Sequence, residues 1–155
     1  MSKPKPPCQT IRPWLKANLG KPLYVPELAA LAGLSESAFS RLFKKCTGRS
    51  VPQYLNELRI ARAARLLAET DESVKQIAHQ CGYPTAAYFH RQFQRHQELP
   101  PLAYREAIRH ALAVVRDKLP NGRSFADAHA VLARMGRAGP GPAGYSAASI
   151  SVTLK

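Results

Sequence analysis

Acidic residues are scarce in this 155-residue sequence, and long apolar runs are absent from it. Only 10 Asp and Glu stand against 23 Lys and Arg, which gives a formal net charge of +13. An excess of this size favours polyanionic partners, either nucleic acid or an anionic membrane surface. No stretch reaches the roughly 18 consecutive apolar residues that a membrane span needs. The opening "MSKPKPPCQT" is too polar and proline-rich for a signal peptide. Of the two polyanions, nucleic acid is the expected partner, and no membrane partner is expected.

Cysteine is also scarce, and the three cysteines lie far apart at Cys8, Cys46 and Cys81. An odd number at such spacings predicts a reduced, cytoplasmic chain rather than a disulfide scaffold. Cys46 and Cys81 are predicted to be small buried side chains. No Cys-x2-Cys pair and no nearby histidine pair has zinc-site spacing, so no metal is predicted. Without a phosphate-binding glycine loop or a His-Glu-x-x-His motif, no catalytic residue, enzyme activity or cofactor is expected.

Helical periodicity is what the sequence has in abundance. Its hydrophobic residues make up 45% of the chain, enough for a core. They recur at helical spacing in stretches that begin at Ser or Thr and end at Gly. Thr10 is expected to cap the first helix, and the longest early stretch runs from Val51 to Glu69. Because no period-two alternation is sustained before residue 146, the prediction is an all-α fold of about seven helices.

An internal repeat is the most informative feature. The stretch "LAALAGLSESAFSRLF" returns as "IAHQCGYPTAAYFHRQF", with a short helix, a glycine turn and a longer helix in each copy. The matched pairs lie about 50 residues apart, and they are Ala29 and Ala78, Gly33 and Gly82, Phe39 and Phe89, Phe43 and Phe93, and Tyr54 and Tyr104. Glycine allows the left-handed turn between the helices. Each copy is therefore predicted to be a helix-turn-helix, whose second helix enters the DNA major groove.

The repeat also predicts how the chain is organised. The segments are a flexible basic arm (1–9), a first helix-turn-helix subdomain (10–49), a long linker helix (50–70), a second subdomain with a closing helix (71–119), and a tail (120–155). The linker helix, with about 19 residues, spans roughly 28 Å, close to the about 34 Å of one DNA turn. A monomer is therefore predicted to read two successive major-groove segments of an asymmetric site of roughly 20 base pairs.

Each second helix has two contrasting faces. The phenylalanines form an apolar stripe, and the opposite face is small, polar and positive. Arginine can bind guanine through two hydrogen bonds, serine can bond several bases, and alanine can pack on a thymine methyl group. Arg41 or Arg91 alone would be an ordinary solvated charge. Each, however, follows the first phenylalanine of its stripe by the same interval, which favours a role in reading bases.

Residues 11–109 resemble the DNA-binding domain of AraC/XylS-type transcription regulators. The resemblance rests on "VPELAALAGLSESAFSRLFKKCTGRS", on "RIARAARLLAETDESVKQIAHQCGY", and on the Pro-x-x-Tyr-Arg motif from Pro101 to Arg105. It implies a bacterial, nucleoid-associated regulator in the cytoplasm that binds double-stranded promoter DNA sequence-specifically. It also implies contact with RNA polymerase when the protein acts as an activator.

The resemblance further implies which residues touch DNA. Base contacts are expected from Ser37, Ser40, Arg41, Ala86, Ala87, His90 and Arg91. Backbone contacts are expected from Ser35, Lys44, Lys45, Arg49, Thr85, Gln94 and Arg95. The second unit departs from the family pattern, with Glu98 where glycine is frequent and Gln94-Arg95 in place of two lysines. We therefore expect the second unit to hold the DNA backbone more weakly. Because Ala86 and Ala87 cannot hydrogen-bond a base, we also expect the first unit to carry more of the sequence specificity.

Two alternatives stay open at this point. The chain could be the DNA-binding fragment of a longer ligand-sensing regulator, or a protein-binding regulatory module that does not bind DNA. About ten residues precede the first helix, fewer than a domain needs, which favours the stand-alone short form. In the tail, Ser124 and Asp127 have capping-box spacing and predict one short helix. "GRAGPGPAGYSAAS" predicts a disordered linker, and "ISVTLK" a loose end.

Overall fold

The computed structural model describes residues 7–118 and 125–134, and within these ranges all regular structure is helical. The helices are α1 (Pro7–Ala17), α2 (Val25–Leu31), α3 (Glu36–Thr47), α4 (Val51–Glu69), α5 (Val74–Gln80), α6 (Ala86–Gln97), α7 (Pro101–Lys118) and α8 (Phe125–Arg134). The predicted all-α class is confirmed. The chain divides into two compact units, residues 1–59 (unit 1) and 60–155 (unit 2). The boundary falls inside α4.

The ends of α3 and the start of α5 lie at the serine and glycine residues that the sequence indicates. The Ser35 side chain caps α3 by accepting a hydrogen bond from the Ala38 N–H at 3.3 Å. Ser73 and Gln76 form a reciprocal capping box at the start of α5. Gly48 ends α3 in the left-handed conformation with φ 73°. Glu98 ends α6 with φ 61°, a conformation that costs a non-glycine residue about 1–2 kcal/mol.

The start of α1 departs from the prediction. The helix begins at Pro7, ahead of the expected cap at Thr10, so residues 7–9 are helical rather than part of a flexible arm. Proline is tolerated in a first helical turn because its missing N–H would have no partner there. Cys8 is buried and extends the inward stripe of Ile11 and Leu15 by one turn. The apolar pattern therefore starts earlier than the hydroxyl at residue 10 suggested.

The cysteines give a second correction. Cys8 and Cys46 are paired in a disulfide with their Cα atoms 6.5 Å apart, so the prediction of a chain without disulfides is wrong. Cys46 is exposed on the last turn of α3, not buried as predicted. The pairing arises because α1 packs against α3, a tertiary contact that cysteine spacing along the chain does not reveal. Cys81 lies outside this disulfide and is buried, as predicted.

Unit 1 has its own hydrophobic core, formed by the inward faces of α1 to α3 and the first half of α4. Its largest buried side chains include Leu15, Leu28, Phe39 and Phe43. Arg59 closes the unit: its guanidinium donates hydrogen bonds of 3.1 Å to the carbonyls of Leu19 and Lys21. These bonds satisfy two backbone oxygens in the turn that follows α1, where no helical partner is available.

Unit 2 repeats this plan and adds α8. Phe89, Phe93, Tyr104 and Ile108 are fully buried in its core. Arg109 lies 50 residues after Arg59, at the matching position of the repeat. Its guanidinium donates a hydrogen bond to the Thr70 carbonyl at 2.7 Å. The Arg105 guanidinium donates to the Leu67 carbonyl at 3.1 Å and also to the Glu72 carbonyl.

Helix α8 confirms the predicted short helix in the tail. It packs on α7, with Ala128 and Leu132 buried in the core of unit 2. His129 and Gln97, both buried, meet with 3.3 Å between Nε2 and Oε1. Burial lowers the pKa of His129 below its usual 6.5. Ser124, the predicted linker "GRAGPGPAGYSAAS" and the terminal "ISVTLK" lie outside the described residues.

Candidate nucleic-acid interface

The glycine turns of the two units have the same geometry. Gly33 adopts φ 69° and Gly82 φ 85°, both left-handed. The residue after each glycine then donates its N–H back into the preceding helix, from Leu34 to the Ala29 carbonyl and from Tyr83 to the Ala78 carbonyl, each at 3.0 Å. Such a turn reverses the chain tightly because glycine carries no Cβ to oppose a positive φ. The two predicted helix-turn-helix motifs are confirmed.

Paired phenylalanines hold each second helix on its core. The Phe39 and Phe43 ring centroids are 5.7 Å apart on α3, and those of Phe89 and Phe93 are 5.5 Å apart on α6. All four side chains are buried. Because residues four apart share one face of a helix, each buried pair fixes how its helix is rotated about its axis. The rotation in turn determines which side chains face solvent.

The predicted contact residues lie on the solvent faces that result. In unit 1 every predicted residue is exposed: Ser35, Ser37, Ser40, Arg41, Lys44, Lys45 and Arg49. In unit 2 the exposed ones are Thr85, Ala87, His90, Arg91, Gln94 and Arg95. Ala86 alone among the predicted residues is half-buried. The structure therefore groups the predicted residues into one accessible face on α3 and one on α6.

Some of these residues also have local partners. The hydroxyl oxygens of Ser35 and Thr85 accept capping N–H bonds, at 3.3 Å and 3.1 Å, which leaves each O–H able to donate to a phosphate. The Arg49 guanidinium pairs with the Glu57 carboxylate. The Arg49 side chain is 52% exposed and that of Glu57 12%. Part of the positive charge of Arg49 is therefore neutralised within the protein.

Tyr88 is a residue of this face that sequence reasoning missed. It is 41% exposed near the start of α6, and the Arg91 guanidinium carbon lies 5.9 Å from the centroid of its ring. The repeat could have revealed this residue. The matching position in unit 1 is Ala38, so a large aromatic side chain at Tyr88 is not needed to form the helix-turn-helix.

Two specific kinds of site, for a metal ion and for a membrane span, are absent from the described ranges. Residues 7–118 and 125–134 contain no group of three or more His, Cys, Asp or Glu placed to hold a metal ion. None of the helices in the same ranges combines the length and apolarity needed to cross a membrane.

Two helix-turn-helix units in one chain, each with a polar and basic outer face on its second helix, define a double helix-turn-helix DNA-binding domain. A family model described as "Helix-turn-helix domain" matches residues 28–107. The chain belongs to the AraC/XylS family of DNA-binding transcription regulators. The predicted resemblance is thereby confirmed.

Two individual proteins show the same similarity at the level of sequence. The chain is 30% identical over 96 residues to the multiple antibiotic resistance protein MarA of Escherichia coli (strain K12), covering 62% of this chain and 76% of MarA. It is 36% identical over 91 residues to the HTH-type transcriptional activator RhaR of Mannheimia succiniciproducens, covering 59% of this chain. The match spans only 33% of RhaR.

A solved structure gives the same result for the fold. The DNA-binding domain of AdpA, a global transcriptional factor crystallised in complex with a target DNA, superimposes with a TM-score of 0.62 and 32% sequence identity. The superposition covers 75% of this chain and 98% of the AdpA domain.

Proposed function

We propose that the protein binds promoter DNA as a monomer and reads two successive major-groove segments of an asymmetric site of roughly 20 base pairs. The observation that carries the proposal is the pair of exposed faces on α3 and α6, each set opposite a buried phenylalanine pair. We call α3 and α6 the reading helices. Because they differ in composition, they fit a DNA site with two different halves. A symmetric dimer would instead fit a palindrome.

Base reading is assigned to the outer face of each reading helix. In unit 1, Ser37, Ser40 and Arg41 offer hydrogen bonds to base edges, and Arg41 can grip guanine through its O6 and N7 atoms. In unit 2, His90 and Arg91 are the donors, while Ala87 and the half-buried Ala86 offer only methyl groups. Alanine packs on thymine but forms no hydrogen bond to a base. The first unit is therefore proposed to supply more of the specificity.

Affinity is assigned to the cations beside these faces. Lys44 and Lys45 lie in the last turn of α3, Arg49 follows that helix, and Arg95 lies in the last turn of α6. Contacts from such residues to phosphates raise affinity without carrying sequence information. The four cations, if all engaged, imply that log Kobs falls with log[salt] with a slope of about −4. The Glu98 carboxylate, placed just after Arg95, weakens this grip by repelling phosphates.

Regulation requires a further partner. We infer that the DNA-bound protein contacts RNA polymerase, and that both meet in the bacterial cytoplasm at the nucleoid. The proposal is supported by relatives described as transcriptional activators, RhaR among them. Transcription of a selected promoter in a purified system, with and without the protein, tests this step separately from DNA binding.

The DNA-binding proposal is tested by selecting the purified protein on random duplexes and titrating the selected site at several salt concentrations. We expect two preferred blocks about 10 base pairs apart, one protein per duplex by sedimentation, and the salt slope given above. A palindromic site bound by two copies would overturn the monomer proposal. Absence of any duplex binding at low salt would favour a protein-binding module instead.

A further inference from the structure

Tyr88 and Arg91 form a contact on the outer face of α6. The Arg91 guanidinium carbon lies 5.9 Å from the Tyr88 ring centroid, within the range in which a cation is attracted by an aromatic ring. The two residues are three apart, so their side chains rise from the same side of the helix. Both are exposed, and the contact therefore lies among the side chains assigned to base reading.

The Tyr88 ring is itself held in place. It lies 6.0 Å, centroid to centroid, from the ring of Tyr83, which is buried and lies 5.1 Å from the core ring of Phe89. A chain of three aromatic rings thus connects the core of unit 2 to the Arg91 guanidinium. A ring packed in this way presents its face to the arginine in a restricted set of orientations.

Unit 1 differs at the position that matches Tyr88. Ala38 occupies the position that matches Tyr88, so no ring is available there to stack against Arg41. An arginine loses substantial rotamer freedom when it is fixed against a base. A guanidinium already held by a ring loses less of that freedom on binding, and its orientation relative to the base edge is restricted in advance.

We propose that Tyr88 is a positioning residue for Arg91. Its ring holds the guanidinium in the orientation in which it reads a base, so that unit 2, which offers few hydrogen-bond donors, discriminates more sharply at that base pair. The inference rests on the proposed function, specifically on Arg91 contacting a base. Tyr88 is assigned no contact with DNA of its own.

The test measures discrimination, meaning the ratio of affinities for the selected duplex and for duplexes changed at one base pair. Arg91→Ala first identifies the base pair that Arg91 reads. Tyr88→Leu, which keeps apolar packing but removes the aromatic ring, should lower discrimination at that base pair roughly two- to five-fold, the effect expected of an exposed cation–π contact. Tyr88→Phe should leave discrimination unchanged. Tyr24→Leu, at a tyrosine 60% exposed outside both reading helices, is the matched control.

Each other result would overturn the inference in a recognisable way. If Tyr88→Leu lowers affinity equally for all duplexes, or if Tyr88→Phe does so, Tyr88 acts on the backbone or on folding instead. If Arg91→Ala lowers discrimination while Tyr88→Leu does not, Arg91 needs no positioning. If Arg91→Ala changes discrimination nowhere, the base-reading role of Arg91 fails, and this inference fails with it. The inference itself predicts that Tyr88→Leu, added to Arg91→Ala, causes no further loss of discrimination at that base pair.

Discussion

Phe43 meets Tyr54 edge to face, with ring centroids 5.3 Å apart and planes at 84°. Unit 2 repeats the contact between Phe93 and Tyr104, at 5.2 Å and 79°. Since Tyr54 lies on α4 and Tyr104 on α7, each pair fastens a reading helix to the helix that follows it. The same packing therefore orients the exposed faces of α3 and α6, to which DNA contacts are assigned in the proposal.

Removing one of these rings should destabilise its unit. Phe43→Ala leaves a cavity at a fully buried site and should lower the free energy of unfolding by about 3–5 kcal/mol. Phe43→Leu, which fills most of the space, should cost clearly less. Urea unfolding followed by circular dichroism measures both. Equal losses for the two substitutions would show that cavity formation is not the cause.

Replacing Arg41 and replacing Lys44 should change DNA binding in different ways. Arg41→Ala should reduce the binding free energy on the selected site by about 1–3 kcal/mol and relax the preference at one base pair. Lys44→Ala should weaken binding to all sequences alike. It should also make the slope of log Kobs against log[salt] about one less steep. Titration of selected and scrambled duplexes compares them. Arg62→Ala, at an exposed arginine outside both reading helices, serves as the control. The division of roles is wrong if both variants lose affinity equally on the two duplexes.

Glu98 should limit both stability and affinity. Its φ of 61° suits glycine, so Glu98→Gly should stabilise the protein by about 1 kcal/mol. The same change removes a carboxylate near the proposed phosphate contacts and should raise affinity for every duplex, most strongly at low salt. Glu98→Gln separates the two effects, since it should raise affinity with little gain in stability. A less stable Glu98→Gly variant would contradict the account of the αL position.

The Cys8–Cys46 disulfide should stabilise unit 1 against unfolding. It joins residues 38 apart in sequence, and a cross-link of that length contributes about 2–4 kcal/mol, chiefly by restricting the unfolded chain. Thermal unfolding with and without dithiothreitol should therefore show a lower Tm in the reductant. The double variant Cys8→Ser/Cys46→Ser should melt at one temperature in both buffers. Identical melting of the unsubstituted protein in both would argue against the disulfide.

His129 should make unit 2 less stable in acid. Burial lowers the pKa of His129 in the folded state below 6.5, so the unfolded chain binds this proton more readily. The stabilising contribution is fully present above pH 6.5 and is lost as the pH falls through 6.5 toward the folded pKa. Unfolding in urea at pH 7.5 and at pH 5.5 measures the difference, which His129→Gln should reduce. A variant with the same pH dependence would place the effect on another group.

Local spacing along the chain determined most of the helices and capping residues, the glycine turns, and the exposed faces of α3 and α6. Ser35 and Ser73 act on residues within one turn, and Phe39 and Phe43 share a face through helical geometry alone. Interactions of this range are present in the sequence pattern itself, and the repeat shows the phenylalanine pair and the hydroxyl cap of the second helix in both units. The Tyr88–Arg91 contact is equally local, and a closer comparison of Tyr88 with Ala38 could have found it.

Tertiary packing decided the contacts between residues that are far apart in the sequence. The Cys8–Cys46 pair, the Arg59 bonds to the turn after α1, and the Gln97–His129 contact join residues more than 30 positions apart. No periodic pattern encodes such pairs, because they exist only after whole helices have packed against one another. The early start of α1 belongs here as well: Cys8 is helical and buried because α3 covers it. The sequence by itself therefore determined the reading helices and their outward faces, while the packing of distant helices decided the covalent and polar contacts that hold each unit together.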